Sequence, residues 1–149
     1  MLFASSKHIE PWPVKVTAQP TAFFTKTYDE ALSLVQESRN YFAVLEPLER
    51  ATLGMFERLH LAKESLRHTA RLTQIMAWLL AQRAVQAGEI TREQALGPDP
   101  GLADLEVCME RSEDARAQLP PRLGRLLDRS HNLYVRVARL DDLARRQAA

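Results

Sequence analysis

The sequence predicts an all-α protein, an antiparallel three-helix bundle with an extended N-terminal arm and a partly helical linker before the last helix. Three long stretches repeat apolar residues every three or four positions, as amphipathic helices do. Glycine, which weakens helices, is scarce at 5 of 149 residues, and no stretch alternates apolar and polar residues as a strand would. The 46% apolar and 26% charged content is typical of a globular protein, so wholesale disorder is excluded.

The chain is expected to divide into an arm, residues 1–26, and a single bundle domain, residues 27–149. Three prolines interrupt any helix in the arm: Pro11, Pro13 and Pro20. Trp12 leaves two interpretations of the arm open. It is either part of a frayed tail or the centre of a short peptide that docks elsewhere.

The first helix is predicted over about residues 28–45. Thr27 and Glu30 form a capping box at its start, in which each side chain binds the backbone amide of the other residue. The helix is expected to end near Leu45, because Pro47 cannot continue it.

The second helix, predicted over about residues 50–87, is the most informative part of the chain. It begins between Pro47 and Met55 and ends at Gly88, a residue suited to a left-handed backbone. One apolar stripe holds Leu66, Thr73, Ala77, Leu80 and Ala84, and a second, rotated by roughly 120°, holds Leu61, Leu72, Ile75 and Leu79. A surface helix needs only one stripe, so this helix is expected to be central in its domain or covered by a second subunit.

Trp78 lies beside both stripes, and Gln82 and Arg83 follow about one turn later. Two interpretations stay open. Trp78 is either a core residue whose indole N–H meets a polar neighbour, or the anchor of a homodimer or client interface.

The segment after the second helix is predicted to be broken and only partly helical. Thr91 and Gln94 form a second capping box, which opens a short helix. Residues 97–101 are glycine, proline and aspartate, and residues 102–118 form the linker. The last helix, over about residues 121–146, carries a coiled-coil-like seam of Leu119, Leu123, Leu126, Ser130, Leu133, Val137, Leu140 and Ala144.

Charge is segregated along the last third of the chain, although the net charge is only +1. Five arginines fall within roughly a 100° sector of the last helix: Arg122, Arg125, Arg129, Arg136 and Arg139. They form either a solvated face, covered by the acidic linker, or a docking strip for an acidic partner. Nucleic acid is a distant third interpretation, because no aromatic platform accompanies the arginines.

No catalytic, cofactor-binding or metal-binding residues are predicted, because no histidine, cysteine or carboxylate cluster has the required spacing. His60 and His68 lie on the flank of the second helix, where a solvated or interfacial histidine is expected. Cys108 is the only cysteine, which fits a small helix residue in a reducing cytosol. No signal peptide or membrane span is apparent, so a cytoplasmic protein is expected.

The segment from Arg71 to Val85, followed by Gly88 and Glu89, resembles the signature of the RcdA family of alphaproteobacteria, the regulators of CtrA degradation. The residues Leu119-Pro120-Pro121-Arg122-Leu123 and the pair Arg129-Ser130 are similar to that family as well, and the likeness covers about residues 27–146.

The resemblance implies a homodimeric three-helix bundle without catalysis of its own. It implies an adaptor for the ClpXP protease, which joins a ClpX-bound assembly primed by a CpdR-type response regulator and delivers cell-cycle cargo proteins. The alternative is a helical dimerisation scaffold without a protease link. The candidate interaction residues are Leu72, Ile75, Trp78, Leu79, Gln82, Arg83, Arg122, Arg125, Arg129 and Arg136.

Overall fold

The computed structural model describes residues 21–97 and 105–148, and every regular element in those two ranges is a helix. The α-helices are α1 (Thr21–Asn40), α2 (Glu46–Ala51), α3 (Met55–Gln86), α4 (Arg92–Leu96), α5 (Leu105–Met109), α6 (Glu113–Ala117) and α7 (Pro121–Ala148). A π-helical turn, Tyr41–Leu45, joins α1 to α2. The all-α class is confirmed. Most of the predicted arm, residues 1–20, lies outside the described residues, and the division into arm and domain stays a prediction.

The three long helices α1, α3 and α7 form the bundle, and α1 runs antiparallel to α7. Arg136 contacts Glu30, and Arg129 contacts Glu37, so residue numbers rise along one helix as they fall along the other. Both pairs lie at the exposed edge of the α1–α7 contact. Helix α1 is antiparallel to α3 as well, because Phe24 contacts Trp78 and Ser38 contacts His68, so α1 is the helix that runs against the other two.

The helices α3 and α7 run parallel to each other, a detail that the antiparallel prediction misses. His68 contacts Ser130 and Trp78 contacts Asp141, so residue numbers rise together along the two helices. Parallel neighbours need a connection that returns along their length. The connection from the end of α3 to the start of α7 makes that return, and the short helices α4, α5 and α6 lie in its described parts.

Helix α1 begins earlier and its helical path continues further than predicted. It starts at Thr21, and Thr27 is a buried residue of the bundle seam, not a cap. The path also passes Pro47 to the end of α2. It can do so because Pro47 lies in the first turn of α2, just after the π-helical turn, where the hydrogen-bond register of the helix changes and a missing amide is tolerated.

Helix α3 is about 48 Å long at 1.5 Å per residue. Gly54 stands just before it with an extended backbone, and its N–H donates to the Glu57 carboxylate at 2.9 Å. At the other end Gly88 has φ +75°, as predicted. The Gly88 N–H binds the Val85 carbonyl at 3.1 Å and the Glu89 N–H binds the Ala84 carbonyl at 2.9 Å, which is the Schellman pattern.

The linker is partly helical, as predicted. The Thr91 hydroxyl accepts from the Gln94 amide at 3.1 Å, so the second capping box is confirmed at the start of α4. Helix α5 lies against α3 and α7, and its Cys108 has no exposed surface. The seam of α7 is buried as predicted at its central positions: Leu123, Leu126, Ser130, Leu133 and Val137.

Candidate interaction site

The second apolar stripe of α3 faces the core of the chain's own bundle. Leu72, Ile75, Trp78 and Leu79 are all buried there among side chains of α1 and α7. These four predicted interaction residues therefore pack within the chain and do not present a surface to a partner. The correction has a simple cause, because α3 is the central helix of the bundle and one of its stripes is its own core.

Trp78 is a core residue with a satisfied indole. Its Nε1–H donates to the Asp141 carboxylate of α7 at 3.1 Å, and its ring lies 5.9 Å from the Phe24 ring of α1. Arg145 binds the other Asp141 oxygen at 3.0 Å and donates to the Leu96 carbonyl at 2.6 Å. Trp78 thus links α1, α3 and α7, and Arg145 extends this set of polar contacts to the end of α4.

Gln82 and Arg83 lie one turn beyond Trp78. Gln82 is half-buried, and Arg83 is exposed with its guanidinium carbon 4.6 Å from the centre of the Tyr28 ring. This cation–π contact holds Arg83 against α1. Arg83 therefore makes a contact within the chain, and only its outer side is accessible to a partner.

Arg71 is a buried cation that joins α3 to the linker and to α7. It donates to the carbonyls of Cys108 at 2.8 Å, Glu110 at 2.7 Å and Leu127 at 3.3 Å. Burial, and then the neighbouring Arg67, lower the pKa of Arg71. Since carbonyl oxygens surround the guanidinium, its role is to hold the returning linker against the bundle.

His68 is fully buried, although a solvated or interfacial position was expected from its place on α3. Its Nε2 lies 2.7 Å from the Ser38 hydroxyl of α1, and its Nδ1 lies 2.9 Å from the Ser130 hydroxyl of α7. Each serine hydroxyl also lies within hydrogen-bond distance of a carbonyl of its own helix, that of Leu34 or Leu127. A neutral imidazole therefore donates to one serine and accepts from the other when that second hydroxyl turns from its carbonyl to the ring. The sequence carries a signal for this, because His68 falls on the Leu61–Leu72 stripe and both serines interrupt apolar seams.

The first apolar stripe of α3 is on the surface. Leu66 is 72% exposed, Leu59 is 62% exposed and Leu80 is 51% exposed. The exposed residues between them continue the stripe at steps of three and four: Ala62, Thr69, Thr73 and Ala77. We call this set, from Leu59 to Leu80, the outer stripe; it extends about 32 Å along α3.

Two threonines of the outer stripe are less polar than their residue type suggests. The Thr69 hydroxyl donates to the Ser65 carbonyl at 3.0 Å, and the Thr73 hydroxyl donates to the Thr69 carbonyl at 2.9 Å. Hydroxyls that bind back to their own helix do not need a partner across an interface. The outer stripe can therefore pack as a largely apolar face.

The five arginines that the sequence places in one sector of α7, the arginine row, include some that pair with carboxylates and some that do not. Arg136 makes two hydrogen bonds with Glu30, at 2.9 and 3.0 Å, and Arg129 pairs with Glu37. The carboxylates of α1, rather than the acidic linker, therefore cover this part of the row. Within the described residues, Arg122 and Arg125 contact no carboxylate.

A groove with a volume of about 550 Å³ lies where the end of α1 and the π-helical turn meet the start of α7. Three of the predicted arginines line it: Arg122, Arg125 and Arg129. The other lining residues are Glu37, Asn40, Tyr41, Val44, Leu45 and Leu126. We call this the basic groove. Sequence reasoning identified its arginines but not its apolar floor, which comes from a segment predicted to be the end of a helix.

Two comparisons with known proteins identify the family to which the chain belongs. The family model described as "Protein of unknown function (DUF1465)" matches residues 16–149. The crystal structure of RcdA from Caulobacter crescentus CB15 is similar at 35% sequence identity and a TM-score of 0.66, over 81% of this chain and 89% of that one. The chain belongs to the RcdA family. No curated protein matches it.

The described part of this RcdA-family chain offers protein surfaces and no metal site. No group of three or more His, Cys, Asp or Glu side chains in residues 21–97 and 105–148 could hold a metal ion. No helix in those ranges is long and apolar enough to cross a membrane. The candidate binding surfaces considered below are the outer stripe and the basic groove.

The stability of this RcdA-family bundle is expected to fall in mild acid through His68. Burial, and then the charges of Arg71 and Arg129, lower the pKa of His68 from 6.5 to about 4. Between those two values the unfolded chain binds the proton and the folded chain does not, so stability is lost as the pH falls from 7 to 4. The loss attributable to His68 is roughly 3 kcal/mol. Urea unfolding followed by circular dichroism at several pH values measures it.

The matched variants are His68→Gln and His60→Gln. His68→Gln is expected to lower stability at pH 7 and to flatten the pH dependence, because the titrating group is gone. His60 lies at a half-buried position on the same helix, so His60→Gln controls for the loss of a histidine from α3 as such. Equal pH dependence in the wild type and in His68→Gln would contradict the assignment.

Proposed function

We propose that this protein is a non-catalytic protease adaptor, which binds cargo and a primed ClpXP protease and so promotes the regulated degradation of cell-cycle regulators. Membership of the RcdA family and the resemblance of the Arg71–Val85 segment support this role. The observation that carries the proposal is the outer stripe, an apolar face of α3 left uncovered by the chain's own bundle. By the same resemblance, the partners are ClpX and ClpP, a CpdR-type response regulator and cytoplasmic cargo proteins, and no cofactor is needed.

The outer stripe also supports a homodimer. Its steps of three and four residues are those of a coiled-coil seam, which a second copy of the same stripe can match. Each buried leucine contributes about 1.5–3 kcal/mol when it leaves water. In a symmetric interface every such residue counts twice, and this gain works against the several kcal/mol that association costs.

The adaptor role is tested by reconstituted proteolysis. The assay contains ClpXP, an unphosphorylated CpdR-type regulator and a candidate cell-cycle cargo, with and without this protein. We expect faster loss of cargo only when every component is present. Unchanged cargo loss, with the protein folded and dimeric, would favour the second candidate function, a dimerisation scaffold without a protease link.

The dimer is tested by Leu66→Glu, with Leu143→Glu as its control. Both leucines are exposed on long helices, but only Leu66 belongs to the outer stripe. Two buried charges replace two buried leucines, so Leu66→Glu should weaken dimerisation by roughly 100-fold or more. Light scattering over a concentration series measures this. A dimer unaffected by Leu66→Glu, or a wild-type protein that is always monomeric, would contradict the proposed interface.

A further inference from the structure

The basic groove combines a cluster of unpaired cations with an apolar floor. Its lining holds three arginines and one carboxylate, Glu37, which is already paired with Arg129. Arg122 and Arg125 have no such partner in the part of the chain that the structure describes. The groove is therefore locally positive, although the whole chain has a net charge of only +1. A positive site of this kind favours an anionic ligand.

The floor of the groove favours an apolar group beside the anionic ones. Tyr41 and Leu126 are buried at its base, and Val44 is 61% exposed at its edge. The Tyr41 hydroxyl donates to the Glu49 carboxylate at 2.6 Å, so the phenol is already satisfied and offers the ligand only its ring. Leu48, 66% exposed, continues the apolar surface one turn beyond Val44. The binding surface is thus longer than the cavity itself.

The spacing of the arginines indicates what kind of anion matches them. Arg122, Arg125 and Arg129 stand at positions i, i+3 and i+7, which lie along one face of α7 over about 10 Å. On a helical segment with carboxylates at the same spacing, each carboxylate would lie opposite one of these arginines. A nucleic acid is less well matched, because the floor offers aliphatic groups and one buried tyrosine ring rather than an exposed stacking platform.

We infer that the basic groove is a docking site for an acidic amphipathic helix of a partner protein. Carboxylates of that helix pair with Arg122 and Arg125, and one large apolar side chain enters between Tyr41, Val44 and Leu126. This inference deepens the proposed function by giving the chemistry of one partner surface. The groove is separate from the outer stripe, so one molecule can use the two surfaces at once.

The test is direct binding of a labelled peptide to the full-length protein. The probe is a fluorescein-labelled helical peptide of about four turns, with glutamates along one face and leucines beside them. The comparison peptide has glutamine in place of every glutamate. We expect the glutamate peptide to bind, measured by fluorescence anisotropy, and to weaken as salt rises from about 50 to 200 mM, because screening reduces the attraction.

The matched variants are Arg122→Glu/Arg125→Glu and Arg92→Glu/Arg139→Glu, which change the net charge equally. Arg92 and Arg139 are exposed and lie outside the groove. We expect at least about a tenfold loss of affinity for the first pair and little change for the second. Val44→Asp tests the floor and should also weaken binding, while Leu143→Asp should not. Circular dichroism confirms that each variant is folded.

Three outcomes would overturn the inference. They are no binding of the glutamate peptide, equal weakening by the two charge-reversal pairs, and tighter binding of a single-stranded oligonucleotide than of the peptide. The assay contains no protease, so each of these outcomes rejects the docking site and leaves the adaptor role to be judged by proteolysis. Conversely, a failure to accelerate proteolysis with peptide binding intact rejects the adaptor role alone.

Discussion

Replacing Arg71 with alanine is expected to lower the free energy of unfolding by about 3–5 kcal/mol, because it leaves several buried acceptors without a donor. Arg71 is almost fully buried and donates to the carbonyls of Cys108, Glu110 and Leu127. Removing the guanidinium leaves these oxygens and a cavity between α3, α5 and α7. Urea unfolding followed by circular dichroism measures the loss, which is large for a chain of this size.

Two further variants separate this role from a general need for positive charge. Arg71→Lys keeps the charge, but one ammonium cannot reproduce the fork geometry that reaches three carbonyls, so an intermediate loss is expected. Arg58→Ala is the control, because Arg58 also donates to backbone carbonyls, those of Arg50 and Ala51, but at an exposed site. Its loss should stay below about 1 kcal/mol. Equal losses for Arg58→Ala and Arg71→Ala would contradict the buried role.

Replacing Trp78 with alanine is the second change of large effect, with an expected loss of about 3–5 kcal/mol. The indole is buried against Phe24, and its N–H binds the buried Asp141. The variant loses the packing of a large ring and leaves one Asp141 oxygen unsatisfied. Thermal unfolding and urea unfolding should both show the loss, and cargo delivery should fall with it.

Trp78→Phe keeps an aromatic ring but removes the N–H and part of the buried ring system. An intermediate loss of about 2–3 kcal/mol is expected, from the unpaired carboxylate and the smaller ring together. Phe56→Ala is the control for loss of an aromatic side chain, because Phe56 is 84% exposed at the start of α3 and should cost little. Unchanged stability in Trp78→Ala, together with lost cargo delivery, would restore Trp78 as a partner anchor.

The sequence predicted the helices well where local chemistry determines them. Thr91 and Gly88 mark helix ends through a side-chain oxygen and a left-handed backbone, which are properties of a few adjacent residues. The helix end predicted from Pro47 was wrong, because whether a proline ends a helix depends on the turn before it. A π-helical turn has no clear signature in the sequence.

The direction of α7 relative to α3 was harder to predict, because it is set by contacts distant in the chain. The seams of α3 and α7 look the same in either direction. The two directions differ in which polar groups lie side by side along the helix axes, and the contact of His68 with Ser130 identifies the parallel one. That pairing is visible once the three helices are assembled.

The candidate site was predicted in part. The two stripes of α3 were both recognised, but periodicity alone cannot say which one a neighbouring helix covers. The arginine row was recognised as well, whereas most of the floor of the basic groove comes from Tyr41, Val44 and Leu45 in a distant segment. Interaction surfaces of this kind are assembled from two helices, so neither helix reveals them alone.

The parallel pairing of α3 and α7 has a consequence for how the protein is made on the ribosome. The polar groups of α3 find their partners late in the chain, since His68 to Ser130 and Trp78 to Asp141 are 62 and 63 residues apart. Until the last helix emerges, three side chains of α3 lack the partners that α7 provides: His68 lacks Ser130, Arg71 lacks the Leu127 carbonyl, and Trp78 lacks Asp141. A chain that ends before α7 is therefore expected to lack these contacts and to leave the core of the bundle open.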